Sequence, residues 1–125
     1  MRKILFLENQ TNHTDIVQQL LTPAGFDVLS IPVLNADMSA AEAWQPDVII
    51  LDLLQPSPSD SKTCQMIKQQ SSAPLLVLSA VIDPIITANL LDHGADDVLS
   101  KPVKAAVLLA HINMLLRRQS SVVTL

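Results

Sequence analysis

Val48-Ile49-Ile50-Leu51-Asp52 is four apolar residues, three of them β-branched, closed by an acid. Apolar side chains at both parities fit a strand buried on its two faces, as a central strand of a parallel sheet must be. Outward from it, shorter runs of the same kind recur: Ile4-Leu5-Phe6-Leu7 and the weaker Val28-Leu29-Ser30-Ile31 before it, Leu75-Leu76-Val77-Leu78 and Asp97-Val98-Leu99-Ser100 after it. Stretches of helical period separate them. Asp15 to Leu21 places Ile16, Leu20 and Leu21 on one face and stops at Pro23 and Gly25. Met38 to Trp44 reads as a short alanine-rich helix. A third helix runs from a Ser59 or Ser61 cap to about Gln70. A fourth starts at Asp83-Pro84, a capping acid before proline, and ends at Gly94. Lys104 to Arg118 is the last, with Val107, Leu108, Ile112, Leu115 and Leu116 spaced to cover a sheet. Strands alternating with helices predict an α/β fold with a parallel sheet flanked by helices. Residues 119–125 read as a tail or linker.

The composition bounds what such a domain can do. The 125 residues, 49% hydrophobic and 16% charged, suit one packed domain and not a disordered chain. The longest nearly unbroken apolar stretch, Leu75 to Ile82, is far short of the roughly 18–20 residues that span a bilayer. Glu8 follows a very short apolar run at the N-terminus, so this stretch does not read as a secretory signal. Cys64, the single cysteine, excludes an internal disulfide and a multi-cysteine zinc site. These features predict a cytoplasmic domain without membrane attachment. A net charge of −4 leaves no large basic surface, and Phe6, Phe26 and Trp44 are the full aromatic set, so this domain alone is not expected to bind nucleic acid.

Polar groups interrupt the strand pattern in one systematic way. Glu8 and Asn9 follow the first strand, Asp52 the third, Ser79 the fourth and Lys101 the fifth. In an open parallel sheet the carboxyl ends of the strands share one edge, where ligands bind. Two carboxylates can hold a divalent cation, while a hydroxyl and an ammonium can contact phosphoryl oxygens; an Asp among them can attack phosphorus. Taken singly, Asp52 reads as a turn or cap and Lys101 as a solvated side chain. The joint pattern carries the inference.

The chain resembles the receiver domain of bacterial two-component response regulators from about Lys3 to Arg118. The resemblance rests on Ile4-Leu5-Phe6-Leu7-Glu8-Asn9, Val48 to Pro56 with its proline four places after Asp52, Leu78-Ser79-Ala80, and Gly94-Ala95-Asp96-Asp97-Val98-Leu99-Ser100-Lys101-Pro102. It implies a five-stranded parallel sheet of order 2-1-3-4-5 with five flanking helices, the flavodoxin-like arrangement. The implied receiver spans residues 1–118, and residues 119–125 lead toward an output domain. It also implies that Asp52 takes a phosphoryl group from a histidine kinase or phosphotransfer protein. Ser79 and Lys101 would then bind that group, and Mg2+ would be held by Glu8, Asn9, Asp52 and the Leu54 backbone carbonyl. A cis peptide between Lys101 and Pro102 and a homodimer through helix four, strand five and helix five follow from the same resemblance. The closing helix is similar to that of regulators which continue into a DNA-binding domain, although His111 and Asn113 stand where those often carry arginines. Such a domain is not an enzyme toward other substrates.

Three departures qualify these expectations. The family normally carries two acids after strand one, the second ligating magnesium directly; with Glu8-Asn9 here, magnesium binding is expected to be weak. Val98 occupies a position where active members have a Tyr or Phe that swings inward. Leu54 and Val81, which would flank the hydrolytic water, cannot orient it, so a phosphoryl group once formed should be long-lived. The alternative is a pseudo-receiver, an interaction module that works without phosphorylation. A phosphatase of the haloacid-dehalogenase kind would need a second Asp where Leu54 stands. His13, His93 and His111 lack metal-ligand spacing and read as surface groups, Cys64 as inert, and Asp92, Asp96 and Asp97 as solvated or capping acids.

Overall fold

The computed structural model describes residues 2–8, 19–33, 38–53, 57–80 and 83–121. Asn9, His13, Leu54, Pro56 and Val81, positions that the sequence singles out, lie outside the described residues, as does most of the first expected helix. The strands are β1 (Lys3–Glu8), β2 (Asp27–Pro32), β3 (Val48–Leu53), β4 (Leu75–Ser79) and β5 (Asp97–Ser100). Helical residues 19–21 form α1, followed by α2 (Met38–Trp44), α3 (Asp60–Gln70), α4 (Pro84–Asp92) and α5 (Ala105–Ser121). All four ladders are parallel and the order is β2-β1-β3-β4-β5, as the resemblance implied.

Strand alternation divides the core into two layers. Leu5, Leu7, Ile49, Leu51, Leu53, Leu75 and Val77 point to one side, where Met38, Cys64, Ile67 and Leu90 of α2, α3 and α4 cover them. Ile4, Phe6, Val48, Ile50, Leu76 and Leu78 point to the other, beneath Leu21, Phe26 and the Leu108, Ile112, Leu115 and Leu116 stripe of α5. Every residue of β3 and β4 is buried, whereas the edge strand β2 alternates between half-buried and exposed. The run Val48 to Leu51, apolar at both parities, thus lies at the middle of the sheet.

Local chemistry sets the element ends. At α4, Asp83 Oδ1 accepts the N–H groups of Ile85 (2.8 Å) and Ile86 (3.3 Å), and Pro84 takes the first helical position. Gly94 follows at φ +118, a backbone state that a side chain would strain; a Cβ there would also meet Lys68 Cγ at 2.8 Å. At α3 the expectation needs correcting. Ser59 stands at the cap position but makes no capping bond, because its backbone is already helical (φ −83, ψ −6). Instead, Asp60 Oδ2 accepts the Ser57 N–H at 2.7 Å. The last helix runs through Ser121, three residues past the end read from the sequence, with Gln119 Nε2 donating to the Ser72 carbonyl at 3.3 Å.

Candidate functional site

Among the described residues only three polar side chains are buried: Glu8, Asp52 and Ser79. All three stand at the carboxyl ends of adjacent strands β1, β3 and β4. Alternation explains why the two acids meet. Glu8 shares parity with Ile4 and Phe6, and Asp52 with Val48 and Ile50, so both leave the sheet on the same face. The β1–β3 ladder pairs Leu7 with Leu51, which sets the next residues, Glu8 and Asp52, side by side on strands about 5 Å apart.

Lys101 completes the cluster. Its Nζ lies 2.5 Å from Asp52 Oδ1, with Asp52 only 3% and Lys101 19% exposed as side chains. The backbone aims it there: the Lys101 N–H donates to the Ser79 carbonyl at 2.8 Å, tying the end of β5 to the end of β4. Leu53 pairs with Ser79 and Ser79 with Ser100, so one rung crosses β3, β4 and β5 at this edge. The Lys101–Pro102 peptide bond is cis. Two formal negative charges against one ammonium leave the cluster anionic, which suits a divalent cation of the hard, oxygen-seeking kind. Once a cation and Lys101 share the negative charge, the edge can stabilise a phosphoryl group.

The structure joins Lys101 to Asp52 directly and sets Glu8 beside Asp52, while Ser79 stands at the same strand edge with the parity of Leu75 and Val77 and meets the cluster through its carbonyl bond to the Lys101 N–H. Val98 lies away from this edge within β5, half-buried against the layer that contains Leu90. Sequence reasoning missed a second polar contact on β5. His111 Nδ1 on α5 meets Asp97 Oδ2 at 2.5 Å, and Asp97 Oδ1 accepts the Val98 N–H at 2.9 Å. His111 and Asp97 are therefore paired with each other and are not simply solvated. Asp96 is also engaged: its Oδ2 takes the Leu75 N–H at 2.7 Å and Lys68 Nζ at 3.0 Å. No spacing rule links 97 to 111 or 68 to 96, because each pair joins elements whose rotation the sequence does not reveal. Cys64 matches its reading: burial, with a smaller contribution from the Asp60 charge, pushes its thiol up to about 11.

Comparison with known proteins agrees with this geometry. The response regulator receiver domain profile matches residues 4–113. The transcriptional regulatory protein CseB of Streptomyces avermitilis is 35% identical over 115 residues, covering 92% of this chain and 49% of CseB. The response regulator ArlR of Staphylococcus aureus is 34% identical over 119 residues, covering 95% of this chain and 54% of ArlR. This chain thus spans about half the length of the curated relatives it matches. Among solved structures, a response regulator receiver domain protein from Clostridium thermocellum superposes with a TM-score of 0.84 at 24% identity, over 98% of this chain and 99% of that one, a likeness of fold. No helix among the described residues is long and apolar enough to cross a membrane. With sheet order, strand-end cluster and profile match in agreement, the chain belongs to the response regulator receiver domain family.

Proposed function

We propose that Asp52 accepts a phosphoryl group from the phosphohistidine of a histidine kinase or phosphotransfer protein in the cytoplasm, and that the domain relays the change to a partner. The observation that carries this reading is the convergence of Glu8, Asp52, Ser79 and Lys101 at one strand edge. An Asp52 carboxylate oxygen forms the new O–P bond as the P–N bond of the donor imidazole breaks, and the freed ring takes a proton from water. The reaction passes through a loose, in-line transition state, so the chain's part is positioning and charge stabilisation. Lys101 Nζ, resting on Asp52 Oδ1, moves to a phosphoryl oxygen, and the Ser79 hydroxyl donates to another.

The carboxylates of Glu8 and Asp52 fit Mg2+ in donor type, and Asn9 with the Leu54 carbonyl would complete its shell. When bound, the ion offsets negative charge on the phosphoryl oxygens. With Asn9 in place of the second acid after β1, the site has one carboxylate fewer than the family's usual three, which accounts for the weak binding expected. The apolar Leu54 and Val81 leave the bound phosphoryl group long-lived. Because the Lys101 N–H hangs on the Ser79 carbonyl, movement of Ser79 is passed directly to the end of β5. That route suits a β5 whose residue 98 has no ring to swing. The receiving surface is α4, β5 and α5, used either for a homodimer or for contact with a C-terminal output domain. The doubled length of CseB and ArlR, the former a transcriptional regulatory protein, supports an output domain of the DNA-binding kind.

A second reading, a pseudo-receiver that recognises partners without phosphorylation, draws on the deep burial of Asp52 and on Val98. Beryllofluoride with Mg2+, a stable stand-in for the phosphoryl group, separates the two. The phosphoacceptor reading expects amide shifts at Ser79 and Lys101 that vanish in Asp52→Asn; an unchanged spectrum would favour the pseudo-receiver. Trp44 is a poor fluorescent reporter for this titration, since it packs beneath Lys3 at the opposite edge, 5.5 Å from Nζ to ring centre.

A further inference from the structure

α4 is only partly packed, and the mismatch is specific. Its outward side carries Ile85, 80% exposed, and the exposed Leu91. Its inward side carries Ile86 and Leu90 against the core, and between them in sequence Thr87, whose Oγ1 is fully buried with no hydrogen-bond partner among the described residues. A helical threonine can satisfy its hydroxyl on the carbonyl four residues back. Here the Asp83 carbonyl receives the Thr87 N–H at 2.8 Å, and the hydroxyl makes no bond to it. Alongside, Ile86, Asn89 and Leu90 wall one side of a cleft of about 240 Å³, closed on the other by Ser57, Pro58 and Asp60 at the start of α3. A helix with apolar residues in water, a stranded hydroxyl inside and free space at its flank is not in a fully optimised seat.

We propose that Thr87 sets the balance between two seats of α4, making the resting seat less stable so that a small pull from the phosphoryl site re-seats the helix. This rests on the phosphoacceptor reading. The Asp83 cap of α4 is four residues from Ser79, so a displaced Ser79 acts on the N-terminal end of the helix. Re-seating across the cleft returns the Thr87 hydroxyl to water or to an acceptor, and the cost of its burial falls away. Thr87 is a positioning residue: it touches neither Asp52 nor the phosphoryl group, and acts through the equilibrium of α4.

Two measurements on the whole chain test this. Thr87→Val keeps the shape and removes the hydroxyl; Thr87→Ser keeps the hydroxyl. In urea unfolding, Thr87→Val is expected to raise the midpoint with an unchanged slope. In calorimetric titration with beryllofluoride and Mg2+, it is expected to weaken binding about tenfold, while Thr87→Ser stays within about twofold of the unaltered chain. A lowered midpoint in Thr87→Val would mean that the hydroxyl has a resting partner, and equal affinity would mean that it does not bias the switch; either overturns the role of Thr87. Failure of the unaltered chain to bind beryllofluoride would instead overturn the phosphoacceptor reading, and the coupling with it.

Discussion

The sheet carries an aspartate–lysine pair at each end, and the two are built differently. At the amino edge, Asp96 Oδ2 accepts the Leu75 N–H as well as Lys68 Nζ, and Lys68 also donates to the Ala73 carbonyl at 2.9 Å. Two of these three bonds involve backbone groups, so the pair closes the start of β4 onto the end of α3 and persists while the strand is paired. Both side chains are roughly a third exposed, in water that screens their charge. At the carboxyl edge, Asp52 is sealed from solvent and meets its cation through a side chain alone, at the end of a four-carbon stem that can swing. The same residue types make a fastening where the backbone supplies the partners, and a releasable contact where it does not.

That contrast can be broken in several places. The largest effect is expected for Lys101→Met, which strands the buried Asp52 carboxylate and should lower unfolding free energy by about 3–5 kcal/mol. Adding Asp52→Asn should recover most of the loss in a double-mutant cycle. Additive losses, or a Lys101→Met cost no greater than that of Lys68→Met, would erase the distinction. Asp96→Ala leaves the buried Leu75 N–H without its acceptor and should cost about 1–3 kcal/mol in urea unfolding, with beryllofluoride affinity unchanged. Lys68→Met removes the screened ion pair together with the bond to the Ala73 carbonyl and should cost about 1–2 kcal/mol, with only the ion-pair share shrinking in high salt.

The smallest effect is kinetic. Burial holds the Cys64 thiol protonated at neutral pH, and the Cys64 carbonyl lies near Gly94 beside the Lys68 clasp. Its alkylation should therefore wait on local opening. Asp96→Ala should quicken the reaction severalfold, whereas Asp52→Asn should leave it as it was.

Much of this arrangement is legible in the sequence, for identifiable reasons. Val48 to Leu51 marks the central strand because a strand covered on both faces can carry no polar residue until it emerges. Glu8, Asp52 and Ser79 read as strand ends, yet each is the last or next-to-last residue inside its ladder, since backbone pairing is indifferent to side-chain polarity. Asp83-Pro84 and Gly94 bound α4 correctly because their chemistry is local. Ser59 did not cap α3, since a cap depends on a backbone angle that composition does not fix. The Asp97–His111 and Asp96–Lys68 contacts escaped entirely. Each needs the rotation of a helix against a strand, which emerges only when the two core layers pack. Thr87 was equally silent: an inward hydroxyl on an apolar helix is ordinary in sequence, and its lack of a partner appears only in three dimensions.

The most direct test is to incubate the chain with acetyl phosphate and Mg2+, then locate any added phosphoryl group by intact-mass and peptide-level mass spectrometry. One phosphoryl group on the peptide containing Asp52, absent from Asp52→Asn and retained in Asp96→Ala, is the expected result. No added mass, or a phosphoryl group that persists in Asp52→Asn, would mean that the carboxyl-edge pair is as permanent a fastening as the one at the other end.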